Sequence, residues 1–481
     1  MKILSNLIQK YKQTPLQARA SVWYTLCNVM QKGISFFVIP IYVRILTTAE
    51  YGAYSVFQSW RDALIILATL NLHAGIYTKA MVDYDQDRDR YTSSMQGLST
   101  ILTLVLLAVY LPASGLWNRL LQMDTTTVLL LFGYFVFYPA LTFWTVRQRV
   151  ENKYVRMVVV TMLVSVLTPL ISVILLMATP LREKAVIWGY LFVQSGVGIA
   201  FYLVQFIRGK CFFHKEYWVK ALKFNLPLVP HYLSLIVLGQ ADRIMIQGYS
   251  GSDKAGIYNL AYQIAVLMQV VTNAIFSTLV PWSYEQLKNR TIGSLKATTA
   301  KLCMLMAVMT FAVTLVAPEA IAIIGTPEYQ EAVWIVPAVA ISVYFTFCYN
   351  LFSTVPFYYG ATSYIMVASL VGAVLNIILN AIFIPMTSYI AAGYTTLVCY
   401  FVFMLMHFTF MKISCRKHLD GVSVYDNKLI FLSCLGLCIL GAVCMLLYRG
   451  WIIRYLILVA IVITAVLMRK RIMELLKSVK K

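Results

Sequence analysis

Long apolar runs, separated by short polar or charged stretches, dominate this chain. A helix needs about 20 mainly apolar residues to cross the hydrocarbon core of a bilayer. The runs have that length, so we predict about fourteen transmembrane helices. They cover residues 20–44, 51–72, 95–115, 127–146, 157–178, 185–206, 224–248, 256–281, 299–321, 330–354, 361–384, 390–411, 428–448 and 451–468.

The composition agrees with this pattern, since 60% of the 481 residues are hydrophobic and only 12% are charged. A soluble globular domain contains about twice that share of charged residues. We therefore predict an all-α polytopic membrane protein with a lipid bilayer as its solvent. The predicted parts are an interfacial segment 1–19, an N-lobe 20–206, a basic linker 207–223, a C-lobe 224–411, two further helices in 412–468 and a basic tail 469–481.

Positive charge is the next feature, with a formal net charge of +21 from 40 Lys and Arg. In a soluble protein such an excess would suggest nucleic acid, but here the cations fall in loops between apolar runs. Alternating the loops from a cytoplasmic N-terminus places roughly 30 of the cations inside. We therefore predict both termini in the cytoplasm and no nucleic-acid partner.

Reactive side chains form no recognisable catalytic pattern. The nine cysteines are scattered, mostly within apolar runs, without the paired spacing of a zinc site or a disulfide framework. An enzyme would need a nucleophile or an acid and base, usually on a sizeable outer loop, and neither is evident. We predict no enzyme activity, no resident metal and no cofactor.

A weak internal repeat relates the two predicted lobes. Glu50-Tyr51-Gly52-Ala53-Tyr54 follows the first helix, and Lys254-Ala255-Gly256-Ile257-Tyr258 follows the seventh. Both copies occupy the same position in a six-helix unit, on the same side of the membrane. Two related six-helix halves are a common architecture of secondary transporters.

Several longer segments carry a resemblance to a known family over most of residues 18–412. They are Trp23–Leu26 through Pro40–Tyr42, Leu46–Gly52, Asn225–Pro230, Asp242-Arg243, Gly325–Tyr329, and Leu375–Asn380 through Ile384-Pro385. With them the chain resembles the Wzx-type oligosaccharide flippases of O-antigen and capsule pathways, in the multidrug/oligosaccharidyl-lipid/polysaccharide exporter superfamily.

The resemblance implies a MATE-like, V-shaped bundle of two pseudo-symmetric six-helix lobes, plus two C-terminal helices here. It also implies a substrate: an undecaprenyl-pyrophosphate-linked repeat unit, moved from the cytoplasmic to the outer leaflet. The implied location is the bacterial plasma membrane, and the implied partners are glycosyltransferases and a glycan polymerase. The rival function is a cation-coupled multidrug exporter of the same superfamily. The sequence does not say whether transport is coupled to H⁺, to Na⁺ or to neither.

Charges inside predicted helices are the first candidate site residues, because a charge at bilayer depth is costly unless it faces water or a partner. Lys32, Arg61 and Arg243 could bind the pyrophosphate through charge-assisted hydrogen bonds. Asp62 adjoins Arg61 in the sequence, and Asp242 adjoins Arg243. Adjacent helical residues point about 100° apart, so we expect neither Arg–Asp couple to pair directly. Structural pairing with other helices is the alternative.

Neutral polar and aromatic residues complete the candidate substrate site. Asn259, Gln263 and Asn273 fall within one arc of the eighth helix and suit sugar hydroxyls, although amides also join packed helices. Tyr134 and Tyr138, one turn apart, could stack on sugars or serve packing. His231 could respond to protons or be satisfied by a neighbouring helix.

Overall fold

The computed structural model describes residues 15–361, 363–470 and 474. Most of the predicted interfacial segment, residues 1–14, and most of the basic tail lie outside the described residues. The part described consists of helices and turns, without a strand. It divides into two compact units: unit 1 comprises residues 1–46 and 53–233, and unit 2 comprises residues 47–52 and 234–481.

Unit 1 contains most of the first nine α-helices, two of which are short. They are α1 (Leu16–Ile45), α2 (Thr48–Thr69), α3 (Ile76–Asp83), α4 (Arg88–Tyr110), α5 (Ser114–Leu121), α6 (Thr125–Val150), α7 (Tyr154–Ala178), α8 (Glu183–Gly209) and α9 (Lys215–Asn225). The predicted basic linker thus includes a helix, α9. Its Trp218 indole donates to the Ser94 carbonyl of α4, which fixes α9 to unit 1.

Unit 2 contains nearly all of the remaining helices. They are α10 (Val229–Ser250), α11 (Ser252–Lys288), α12 (Ile292–Leu315), α13 (Ala317–Ile324), α14 (Val336–Tyr358), α15 (Ser363–Met386), α16 (Ala391–His418), α17 (Asn427–Leu447) and α18 (Trp451–Leu467). The largest apolar core of this unit is built on α14, whose side chains are nearly all buried. Such a helix can be apolar on every side because it meets other helices all round.

Each of the fourteen predicted segments coincides with a helix in the described residues. Twelve helices there are long and apolar enough to cross a membrane, and α18 is apolar but shorter. The second predicted segment, α2, is not among the twelve and carries Glu50, Arg61 and Asp62. The predicted all-helical, multi-pass fold class is confirmed.

Local capping explains where several helices begin. At the start of α2, Glu50 accepts a hydrogen bond from the Thr47 backbone N–H at 2.8 Å, and the Thr47 hydroxyl accepts one from the Glu50 N–H at 3.2 Å. This reciprocal capping box satisfies two N–H groups that a helix start otherwise leaves unpaired. Asp124 caps α6 by accepting from the Thr127 N–H at 2.9 Å.

The two copies of the internal repeat meet within unit 2. A Cβ on Gly52 would lie 2.8 Å from the backbone nitrogen of Gly256, so the two helix starts cross in backbone contact. Tyr51 packs edge-on against Tyr329, with ring centroids 6.3 Å apart. The motif at 325–329 therefore contacts the first copy of the repeat.

Candidate functional site

Arg61 lies on α2 and is largely buried in unit 1, with a side chain 13% exposed. Its Nε and Nη2 both donate to Oδ1 of Asp62, at 2.8 and 2.6 Å. The expectation that this couple cannot pair was wrong. The 100° angle separates the Cα–Cβ directions, but the long arginine side chain bends back far enough to reach its neighbour.

Three tyrosines surround this guanidinium. The Cζ of Arg61 lies 4.7 Å from the ring centroid of Tyr190, which is cation–π distance. Tyr134 stacks on Tyr138 with centroids 4.7 Å apart, and the hydroxyls of Tyr134 and Tyr190 are 3.4 Å apart. Tyr134 and Tyr138 also interact electrostatically with Arg61. We call Arg61, Asp62, Tyr134, Tyr138 and Tyr190 the Arg61 site.

The structure does not bring the other predicted residues of unit 1 into the Arg61 site. Lys32, on α1, is exposed and makes no ion pair within the described part of the chain. His231, at the start of α10, is half-buried beside the ring of Tyr232, with centroids 5.8 Å apart. Their proposed contacts with substrate stay predictions.

Unit 2 holds a fully buried carboxylate, Asp242 of α10. Its Oδ2 accepts from the Tyr258 hydroxyl at 2.5 Å and from the Thr396 hydroxyl at 2.7 Å. Its Oδ1 accepts from the amides of Asn380 and Asn376, at 2.6 and 3.1 Å. We call these five residues the Asp242 cluster. Four donors from three other helices compensate the cost of burying this charge, and no cation pairs with it among the residues that the structure describes.

Arg243 points away from Asp242, as the helical geometry predicts. Its Nε donates to Oδ1 of Asn259 at 2.8 Å, and its Nη1 donates to the Gly239 carbonyl at 3.0 Å. Its Cζ also lies 4.2 Å from the ring centroid of Tyr262. Arg243 and Asn259 thus bind each other inside unit 2, where both are buried.

The predicted polar arc of α11 divides along its length. Asn259 is buried against Arg243, Gln263 is half-buried, and Asn273 is exposed at a separate pocket. The three polar side chains of the arc therefore do not line one common site.

Sequence reasoning assigned no site role to Tyr190, Tyr258, Thr396, Asn376 or Asn380. The i, i+4 spacing of the two asparagines was a usable signal, because it places both amides on one face of α15. Arg454 of α18 was also missed. It is buried and pairs with Glu319 at 2.8 Å, which makes it a structural cation.

These two sites differ in what they can do chemically. The Arg61 site offers a guanidinium, aromatic faces and phenol hydroxyls, which suit a phosphate and the sugar beside it. The Asp242 cluster offers a buried carboxylate that accepts hydrogen bonds from two amides and two hydroxyls, so it can take up a proton or a cation only by giving up some of those donors.

Helices that span the membrane, with ionic groups held inside both units, define an all-α, multi-pass membrane protein. The model of the family described as "Polysaccharide biosynthesis protein" matches residues 18–286, more than half of the chain. The chain belongs to the polysaccharide biosynthesis protein family. The resemblance read from the sequence motifs is confirmed at that level.

One curated relative gives a short match. "Lsg locus putative protein 1" of Haemophilus influenzae is 35% identical over 69 residues, which is 14% of this chain and 17% of that protein. The match thus spans about a sixth of the relative.

Solved structures give the fold. The lipid II flippase MurJ, in an inward closed conformation, matches with a TM-score of 0.71 at 13% identity, over 94% of this chain and 100% of that one. An inward-facing multidrug resistance MATE family transporter matches with a TM-score of 0.62 at 14% identity, over 82% and 96%. The predicted MATE-like fold is therefore confirmed.

Proposed function

We propose that this protein is a flippase for an undecaprenyl-pyrophosphate-linked oligosaccharide repeat unit, used in surface polysaccharide biosynthesis. It would move the repeat unit from the cytoplasmic to the outer leaflet by alternating access. The observation that carries the proposal is the Arg61 site, a buried guanidinium among three tyrosines in a chain of the polysaccharide biosynthesis family. Such a site has the charge for a pyrophosphate and the rings for a sugar.

In this proposal the pyrophosphate displaces Asp62 as the hydrogen-bond acceptor of Arg61. The guanidinium can then make a bidentate contact with two phosphate oxygens, which a lysine could not reproduce. Lys32 lies outside the Arg61 site, exposed on α1, and would be a separate cationic contact for the same headgroup. Asp62 neutralises Arg61 while no anion is bound, which lowers the cost of keeping the cation in the membrane.

We place both termini in the cytoplasm and the protein in the bacterial plasma membrane. The support is the excess of Lys and Arg in stretches such as 147–156, 208–223 and 469–481. Glycosyltransferases that build the repeat unit, and a polymerase that consumes it, are the partners that this orientation requires.

Complementation of a deletion strain tests the proposal. Arg61→Ala should abolish surface polysaccharide while repeat units accumulate on the carrier, and Arg61→Lys should restore little of it. Arg119→Ala removes an exposed arginine from α5 and should leave export unchanged. Full surface polysaccharide in the deletion strain, with no other flippase present, would refute the proposed function.

A cation-coupled exporter is the second candidate, and the Asp242 cluster favours it. The adjacent arginine does not neutralise Asp242, because Arg243 pairs with Asn259 and the Gly239 carbonyl instead. Coupling to H⁺ or Na⁺ at Asp242 is compatible with either function. A broad gain in drug resistance on overexpression, lost in Asp242→Asn, would favour the exporter.

A further inference from the structure

A separate pocket of about 360 Å³ lies within unit 2, between α11 and α14. That volume is near the lower end of the range for small-molecule sites, about 300 Å³. None of its eight lining side chains is charged. It therefore differs from both the Arg61 site and the Asp242 cluster.

Helical spacing brings the polar lining together. Asn273 and Tyr284 are eleven residues apart, three turns of α11, and so lie on one face. Asn350 and Ser353 are three residues apart on α14 and also share a face. With Thr354, the pocket thus collects two amides and three hydroxyls from two helices.

Hydrogen-bonding capacity in the pocket is only partly used. The exposed Asn273 side chain makes no hydrogen bond within the described part of the chain. Asn350 donates one amide hydrogen to the Thr346 carbonyl at 3.0 Å, and the Ser353 hydroxyl donates to the Asn350 carbonyl at 2.9 Å. The Asn350 amide oxygen and the Ser353 lone pairs can still accept.

Two prolines interrupt the backbone hydrogen bonding of the two helices that line the pocket. Pro281 lies inside α11 and Pro356 inside α14. A proline has no N–H, so each withholds the usual helical donor from the carbonyl four residues earlier. Those carbonyls belong to residues 277 and 352, on the turns that line the pocket.

Aromatic rings complete the pocket. Phe276 and Tyr284 come from α11, and Phe357 comes from α14. The Tyr284 ring packs against Tyr358 with centroids 5.3 Å apart, which fixes its orientation. Rings beside amides and hydroxyls match a sugar, which has apolar C–H faces and a rim of hydroxyls. An acyl chain would leave the polar groups unused, and an anionic group would find no cation.

We propose that this pocket is a binding subsite for a neutral sugar, such as an N-acetylhexosamine, of the transported glycan. The inference rests on the proposed function and adds a specificity: this pocket of unit 2 binds an uncharged ring of the glycan through Asn273, Asn350 and Tyr284.

Binding to the purified full chain in nanodiscs tests the subsite with three probes. They are undecaprenyl pyrophosphate alone, the same carrier bearing a neutral N-acetylhexosamine disaccharide, and the carrier bearing a hexuronic acid disaccharide. The neutral glycolipid should bind about tenfold more tightly than the bare carrier. A tenfold ratio of dissociation constants corresponds to the net free energy of about one or two hydrogen bonds. The glycolipid that bears the hexuronic acid disaccharide should show a smaller increase in affinity over the bare carrier.

Asn273→Ala and Tyr284→Phe should bring this ratio of dissociation constants close to one while binding of the bare carrier is unchanged. Asn289→Ala, an exposed amide just beyond α11, is the matched control and should keep the full ratio. An unchanged ratio in both pocket variants, or equal binding of neutral and bare carrier to the wild type, overturns the subsite. If the neutral glycolipid and the bare carrier bind equally, but binding of the bare carrier depends on Arg61, only the subsite is refuted and the flippase proposal is retained. Failure of all three probes to bind would overturn both.

Discussion

Gly52 and Gly256 lie at a helix crossing in unit 2 that has no room for a Cβ on either residue. A Cβ on Gly52 would fall 1.7 Å from the Ser252 carbonyl oxygen, and one on Gly256 would fall 2.2 Å from the Thr48 carbonyl oxygen. Both clashes involve backbone atoms, so no side-chain movement relieves them. The glycine of each repeat copy is thus required by the close approach of two backbones.

Gly52→Ala and Gly256→Ala should each lower the melting temperature of the purified protein. Overpacking a tight contact costs about 1–3 kcal/mol, and a backbone clash belongs at the upper end. Thermal unfolding followed by tryptophan fluorescence measures the shift. Gly436→Ala on α17 is the matched control, because a Cβ on Gly436 would point into open space, with no neighbouring atom within 4 Å. Equal melting temperatures for all three variants would contradict a close crossing.

Asp62→Asn should tighten the binding of undecaprenyl pyrophosphate several-fold. The carboxylate now accepts two charge-assisted bonds from Arg61, and an amide of the same shape competes less well for that guanidinium. Lipid binding in nanodiscs measures the change, with Asp253→Asn at the start of α11 as the control. Weaker binding in Asp62→Asn would mean instead that Asp62 holds Arg61 in its binding position.

The apolar pattern predicted the helices well because span length and hydropathy are local properties of the sequence. Side-chain partners are not local. The Arg61–Asp62 pair was wrongly excluded, since the directions of Cα–Cβ bonds do not limit the reach of an arginine. Tyr190 had no signal at all, because α8 meets α2 only in the folded unit.

The Asp242 cluster illustrates the same limit in unit 2. One of its donors comes from α11, the next helix along the chain, but the other three come from α15 and α16, 134 to 154 residues after Asp242. The repeat did single out Tyr258, but only as part of a Gly-x-Tyr pattern without a role. Which acids are neutralised by cations and which by neutral donors can be read only from the packed helices.

Tyr258→Phe should destabilise unit 2 and alter the ion dependence of export. Loss of the 2.5 Å hydrogen bond leaves Oδ2 of Asp242 with Thr396 as its remaining side-chain donor among the described residues. Leaving a buried carboxylate short of a partner costs about 1–3 kcal/mol or more. Thermal unfolding measures the loss, and Tyr262→Phe, on the same helix outside the cluster, is the control.

Asp242→Asn separates stability from coupling. If H⁺ or Na⁺ binds at Asp242, export by this variant should lose its dependence on the ion gradient, while binding of undecaprenyl pyrophosphate at the Arg61 site is unchanged. Uptake of the glycolipid into proteoliposomes under imposed Na⁺ or pH gradients measures the dependence. An Asp242→Asn protein that still responds to the same gradient would exclude this carboxylate as the coupling site.

Glu151, just after α6, should stabilise the fold in a pH-dependent way. Burial alone would raise the pKa of its carboxyl, but hydrogen bonds from Arg147 at 2.7 Å and Lys153 at 2.5 Å outweigh burial and lower that pKa. Because the folded-state pKa lies below the ordinary value of 4.5, the stabilisation is present above about pH 4.5 and is lost as the pH falls through the folded-state value.

Glu151→Gln should therefore melt below the wild type at pH 7, and the gap should narrow as the pH is lowered from 7 to below 4.5. Melting temperatures of both proteins across this range test the sign. Glu328→Gln removes an exposed carboxylate that makes no ion pair in the described part of the chain, so it should show no such gap at either pH. A gap for Glu151→Gln that stays constant with pH would assign the effect to packing rather than to charge.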